Sequence, residues 1–136
     1  MMREILFRGK DIDTGKWAHG GYSIYPHTRF PARPTIYEVD HGCWHPVEIV
    51  PETLGQYTGM KDRNGKKIFE GDIVDCWSEG VNAKGTVQQR KDGMWIIYPS
   101  WQKLIMWSLC PDEHCNTTVK IIGNIHDNPE LLKEKP

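Results

Sequence analysis

The 136-residue chain lacks most features that would assign it a function at sight. No apolar run approaches the ~20 residues needed to cross a bilayer, and stretches such as Trp95-Ile96-Ile97-Tyr98 are only of strand length. The opening Met1-Met2-Arg3-Glu4-Ile5-Leu6-Phe7-Arg8-Gly9-Lys10 has no apolar core of the kind a secretory signal carries, so a cytoplasmic protein without a membrane partner is expected. An excess of one charge is missing as well: 17 Lys+Arg stand against 18 Asp+Glu, for a formal net charge of −1. The first 68 residues carry ten cations and eight acids, the remainder seven and ten. General attraction to nucleic acid or to an anionic surface is therefore not implied, which leaves only a local patch. Serine occurs four times, with no Gly-x-Ser-x-Gly elbow and no His-Glu-x-x-His pair, so no catalytic residue is assigned and no cofactor is expected. A coiled coil, a collagen-like repeat and a disordered tail are excluded by composition.

What the chain does have is six Trp, thirteen Gly and nine Pro. Period-2 alternation recurs, and no 3.6-residue period is sustained before the C-terminus, so the expected class is mainly β. Strands are expected at Ile5–Arg8, from Trp17 onward, at Thr35–Val39, at Asp72–Trp77, at Gly85–Arg90, at Gly93–Tyr98 and at Val119–Gly123. Asp11–Lys16 has turn chemistry, with Gly15 able to take a positive φ. Pro26, Pro31 and Pro34 mark 26–34 as a loop or irregular edge. Asn64-Gly65 predicts a two-residue type I′ hairpin, which needs a positive φ twice. Near the C-terminus, Asn128 caps and Pro129 opens a short helix of at most two turns. The expected architecture is a small curled sheet or SH3-like barrel, preceded by an N-terminal β segment and closed by that helix. It forms a single domain over 1–136, with an N-terminal β subregion at 1–55 and a barrel-like subregion at 56–136.

Several segments resemble functional motifs without meeting their terms. Gly59–Lys67 looks like a phosphate-binding loop, but five residues separate the glycines where four are required, and Lys67 replaces the Mg²⁺-binding hydroxyl. His41-x-Cys43-x-His45 and Cys110/His114/Cys115 offer soft ligands. Neither cluster has the usual Cys-x₂₋₄-Cys spacing, so no metal site is assigned and whether the two meet is open. The four cysteines read as free thiols, with Cys43 beside Trp44 and Cys76 beside Trp77 acting as small buried apolar groups. The tryptophans are divided between core and a protein interface. Lys61, Arg63, Lys66 and Lys67 form one basic tip, and Arg90-Lys91 a second.

Three segments together resemble one family. They are Met2–Asp11, the run Gln56-Tyr57-Thr58-Gly59-Met60-Lys61-Asp62-Arg63-Asn64-Gly65-Lys66-Lys67-Ile68-Phe69-Glu70-Gly71-Asp72-Ile73-Val74, and Ile121-Ile122-Gly123-Asn124-Ile125-His126-Asp127-Asn128-Pro129-Glu130-Leu131-Leu132. In this order they strongly resemble the YopX family of small proteins encoded by bacteriophages and prophages. The resemblance implies a phage or prophage origin and a bacterial host cytoplasm, and it carries no activity to any residue. The motif positions Tyr57, Gly59, Asp62, Asn64, Gly65, Glu70, Gly71, Asp72, Gly123, Asn124, Asn128 and Pro129 are read as structural: glycines for tight turns and apolar neighbours for packing. The resulting expectation is a non-enzymatic β module that associates with itself, or with a host or phage protein. Binding of single-stranded nucleic acid, by stacking on tryptophan beside the basic tips, is the alternative.

Overall fold

The computed structural model describes residues 4–25, 33–40, 42–78, 81–99, 107–109 and 111–132. Among them the chain forms β1 (Phe7–Lys10), β2 (Trp17–Tyr25), β3 (Arg33–Asp40), β4 (Cys43–Glu48), β5 (Gly55–Lys61), β6 (Lys67–Phe69), β7 (Asp72–Ser78), β8 (Val81–Gln89), β9 (Trp95–Pro99), β10 (Trp107–Ser108) and β11 (Lys120–Asn124). The class is mainly β. Two compact units divide at Tyr57/Thr58, within β5.

In the first unit β1 to β4 form an antiparallel meander, and the start of β5 pairs with the outer side of β1 through Phe7↔Gln56 and Arg8↔Gly55. Alternation separates two faces. One carries Phe7, Ala18, Tyr22, Ile36, Val47 and Ile49, which pack with Leu54 as the core of this unit. The opposite face carries Trp17, Tyr37, Val39 and Trp44, by the register Gly21↔Tyr37 and Val39↔Trp44. The turn after β1 is built by its first residue: Asp11 Oδ1 accepts the N–H groups of Asp13 (2.8 Å) and Thr14 (3.4 Å), and Gly15 takes φ +73°. An isolated bridge, Asp11↔Ile49, ties the end of β1 to the end of β4. Thr53 fastens the same region, since its hydroxyl donates to Val50 O (2.6 Å) and accepts from Lys10 N (2.9 Å).

The second unit holds the β5–β6 hairpin and a five-stranded sheet in the order β10-β9-β8-β7-β11. Strand β7 lies between β8 and the edge strand β11, and Ile73 and Val74 are both fully buried, which accounts for its unbroken apolar pair. Val74, Cys76, Val87, Ile97, Leu109 and Val119 pack with Met60 and Ile68 from the hairpin, and Trp95 and Ile121 lie against them. The register of β11 slips by one residue between Ile121 and Gly123.

Three expectations change. Strand β11 joins β7 at the edge of an open sheet, and neither sheet closes into a barrel: β11 and β10 stand at opposite ends of the order. The C-terminal helix is a 3₁₀ turn, Pro129–Leu132; Leu131 N donates to Asn128 O, and 133–136 lie outside the described residues. The Asn64-Gly65 turn is not type I′, because only Gly65 has a positive φ (+84°). Asp62 and Lys66 close it instead, with Asp62 N donating to Lys66 O and Gly65 N to Asp62 O. This is a wider turn ending in one left-handed residue. The first strand also begins later than Ile5, which is 65% exposed, and residues 26–32 of the expected loop lie outside the described set.

Candidate functional site

The motif residues gather at hydrogen-bonded corners. Asp62 is the most buried carboxylate among them, at 2% exposure. Its Oδ1 accepts from Asn64 N (2.9 Å) and Lys66 N (2.8 Å), and its Oδ2 from Ile121 N (3.1 Å). One side chain thereby shapes its own turn and fastens it to β11, assisted by Arg63 N donating to Val119 O. Asp72 is also buried and accepts Phe69 N at 2.8 Å across the turn in which Gly71 takes φ +91°. Asp72 lies opposite Asn124 in the β7–β11 pair. Asn124 Oδ1 accepts from His126 N and Asp127 N, while Asn128 Oδ1 reaches back to Asn124 N. Gly123 permits this, since a Cβ there would come within 2.6 Å of Asn128 Oδ1. Pro129 opens the closing 3₁₀ turn, Gly59 bends β5 at φ +85°, and Glu70 precedes Gly71 in its turn. Tyr57, buried at the end of the first unit, donates its N–H to Leu6 O. These atoms point at backbone.

The 112–116 turn repeats the geometry of the 62–66 turn. Asp112 Oδ1 accepts from His114 N (2.8 Å) and Asn116 N (3.0 Å), and Cys115 stands where Gly65 does, at φ +64°. Nothing in the sequence marks Cys115 for this conformation. His114 and Cys115 are exposed, as are Cys43 and His45 on β4; His41 and Cys110 lie outside the described residues. No group of three or more His, Cys, Asp or Glu side chains among the described residues is arranged to hold a metal ion. Cys43 corrects the expectation of a buried thiol: β4 is the outer strand of its meander, and its neighbour Trp44 is 66% exposed.

The tryptophans divide three ways. Trp95 packs on the second core. Trp17 carries two cations that sequence spacing did not reveal, the Arg8 guanidinium 4.6 Å and the Lys10 ammonium 5.4 Å from its ring centroid. Trp44 faces solvent beside Val39. The side chains of Trp77, Trp101 and Trp107 lie outside the described residues. Of the two basic tips, Arg90-Lys91 has its guanidinium paired with Asp92, which leaves the charge of Lys91.

The family model described as "YopX protein" matches residues 6–133. The chain belongs to the YopX family. Protein EF1440 from Enterococcus faecalis, known from its crystal structure, is similar to this YopX chain with a TM-score of 0.50 and 20% identity, over 96% of this chain and 99% of that one. At that identity the likeness speaks for the fold alone. Curated proteins give no significant match. No helix among the described residues is long and apolar enough to cross a membrane.

Two chemical consequences follow for this YopX protein. Burial, and after it the Asp75 carboxylate, push the Cys76 thiol up to about 12, so it holds little thiolate near neutral pH. Iodoacetamide is expected to modify Cys43 and Cys115 in the native protein and to reach Cys76 only on unfolding. Peptide mapping checks this, and alkylation of Cys76 at the rate of Cys115 contradicts it. Three exposed carboxyls are held below the ordinary aspartate value. The Asp13 N–H is the main cause for Asp11, the Asn116 N–H and then the His114 N–H for Asp112, and the Arg90 side chain and then the Met94 N–H for Asp92. A carboxyl with a lowered folded pKa stabilises the fold above its unfolded value of about 3.9, and the contribution is lost as pH falls through the folded value. Urea midpoints are therefore expected to drop below about pH 4, and less steeply in Asp112→Asn, which keeps the acceptor without the titration.

Proposed function

We propose that this YopX protein is a non-enzymatic, phage- or prophage-encoded module of a bacterial cytoplasm that works by protein association, including with a second copy of itself. The observation that carries the reading is the cross-strand pair Val39–Trp44, exposed by 60% and 66% on the outer β3–β4 hairpin. Two large apolar side chains side by side on one face are costly to leave in water and are the kind of anchor that dominates interfaces. Pro46 lies on the same strand and has no N–H to offer an added strand, so association runs through side chains rather than through edge pairing. The motif is in keeping with this reading, because Asp62, Asp72 and the Asn124 side-chain oxygen accept backbone N–H groups.

Light scattering on the purified protein at micromolar concentration tests the self-association. The wild type is expected to exceed monomer mass, and Val39→Ser/Trp44→Ser to run as a monomer with an unchanged melting temperature. A wild type that is monomeric throughout overturns self-association.

A further inference from the structure

Asn64-Gly65 is the one Asn-Gly pair in the sequence, and it lies at the tip of the turn between β5 and β6. Such a pair carries its own chemistry: the main-chain nitrogen of the second residue can attack the side-chain amide carbon of the first, and glycine has no Cβ to obstruct the approach. Both residues are exposed, so water reaches them. The fold, however, restrains the nucleophile. Gly65 N donates to Asp62 O (3.0 Å), and Gly65 has a positive φ where Asn64 does not, so Asp62–Gly65 is a type I turn. The third residue of such a turn, here Asn64, holds ψ near about 0°. Ring closure needs Gly65 N eclipsed with Asn64 Cβ, which that ψ excludes. Rotating Gly65 N into place breaks its bond to Asp62 O, and with it the bond from Lys66 N to Asp62 Oδ1 (2.8 Å). Asp62 does not follow, because it is buried and its Oδ2 is anchored by Ile121 N (3.1 Å).

We propose that Asn64 is a self-modification site that the Asp62 turn keeps closed, converting to aspartyl and isoaspartyl only when the turn opens. On opening, Gly65 N gives its proton to solvent base and bonds to Asn64 Cγ. The Cγ–Nδ2 bond breaks, and the amide nitrogen takes up a proton and leaves as ammonia. Water then adds to either carbonyl of the succinimide and opens it, with no change of oxidation state. Opening at Cγ leaves an aspartyl residue; opening at the main-chain carbonyl leaves an isoaspartyl link through Cγ. The isoaspartyl chain is one carbon longer before Gly65, so Gly65 N and Lys66 N no longer meet Asp62 in register. Asp92-Gly93 has a similar restraint, Gly93 N donating to Arg90 O (2.8 Å), but its electrophile is a carboxylate that Arg90 keeps ionised. Asn82, Asn116 and Asn124 precede residues with side chains, and Asn128 precedes a proline, which has no N–H. The site is independent of the protein-association reading, which rests on β3–β4.

Peptide mapping by mass spectrometry after timed incubation at neutral pH tests it, with the full chain native in one arm and in guanidinium in the other. In guanidinium, Asn64 is expected to convert ahead of Asn82 and Asn116. In the native protein its conversion is expected to be at least about 30-fold slower, because reaction waits on local opening of the turn. Asp62→Ala, which removes the side-chain acceptor of Asn64 N and Lys66 N, is expected to convert at least about tenfold faster than the native wild type. Where that variant does not fold, the wild type decides: the slowing at Asn64 should match the protection of the Gly65 amide against hydrogen exchange to within about threefold. The proposal is overturned by native conversion at the guanidinium rate, by no preference for Asn64 in guanidinium, by a folded Asp62→Ala that converts like the wild type, or by slowing without matching protection at Gly65.

Discussion

Asp62→Ala is expected to destabilise the protein by about 4 kcal/mol, on the order of half of a typical domain's stability. Three N–H groups, from Asn64, Lys66 and Ile121, lose a charged acceptor at once. Each such bond is worth roughly 1.5–3 kcal/mol when the acceptor is ionised, and re-entry of water near the exposed Asn64 and Lys66 returns part of it. Asp62→Asn separates the contributions. Its amide oxygen can keep Asn64 and Lys66, but the amide nitrogen then faces Ile121 N–H, donor against donor. The expected cost is about 2 kcal/mol, or roughly 6–8 °C in melting temperature. Calorimetry on the two variants checks both the size and the order. An Asp62→Ala loss under about 1 kcal/mol would contradict a structural role for this carboxylate.

The second large effect concerns two adjacent glycines in β2 that the sequence cannot tell apart. A Cβ on Gly20 would lie 2.0 Å from Tyr37 O and 2.8 Å from the carbonyl carbon, so Gly20→Ala must push β2 and β3 apart where Ala18 and Ile36 are packed. A Cβ on Gly21 meets nothing within 4 Å, and neither glycine has a positive φ. Gly20→Ala is expected to cost about 3 kcal/mol, the upper range for forced overpacking. Gly21→Ala is expected to be neutral, or stabilising by up to about 1 kcal/mol through the less flexible unfolded chain. Urea unfolding of the pair reads the difference directly. Equal effects would mean that β2 and β3 do not approach as described.

What could be read from the sequence was local. The strand expected at Thr35–Val39, the one expected at Gly93–Tyr98 (which starts at Trp95), and the Asp11–Lys16 turn with its left-handed Gly15 depend on neighbours in the chain, and alternation and turn chemistry report those. The Asn64-Gly65 turn type was missed because Asp62, two residues earlier, supplies an acceptor that favours the wider turn. A barrel was expected where the sheet stays open for a related reason: the position of β11 beside β7 depends on a pairing some fifty residues apart, which no local pattern encodes. Cys43 looked buried because it neighbours Trp44, yet an outer strand can leave apolar side chains in water, and alternation alone does not say which face is covered. The motif positions were legible as a set from the sequence. That Asp62 bonds Ile121, 59 residues away, was not.

In the YopX motif, the side-chain oxygens of Asp62, Asp72 and Asn124 hold corners of the fold by accepting backbone N–H groups. Native-state hydrogen exchange at the Asn64, Lys66 and Ile121 amides tests it most directly. The wild type is expected to protect all three well above the Asp13 amide of the exposed Asp11–Lys16 turn, and Asp62→Asn to lose protection first at Ile121. Wild-type protection at Ile121 no greater than at Asp13, or an Asp62→Asn variant that exchanges like the wild type at all three, would contradict it.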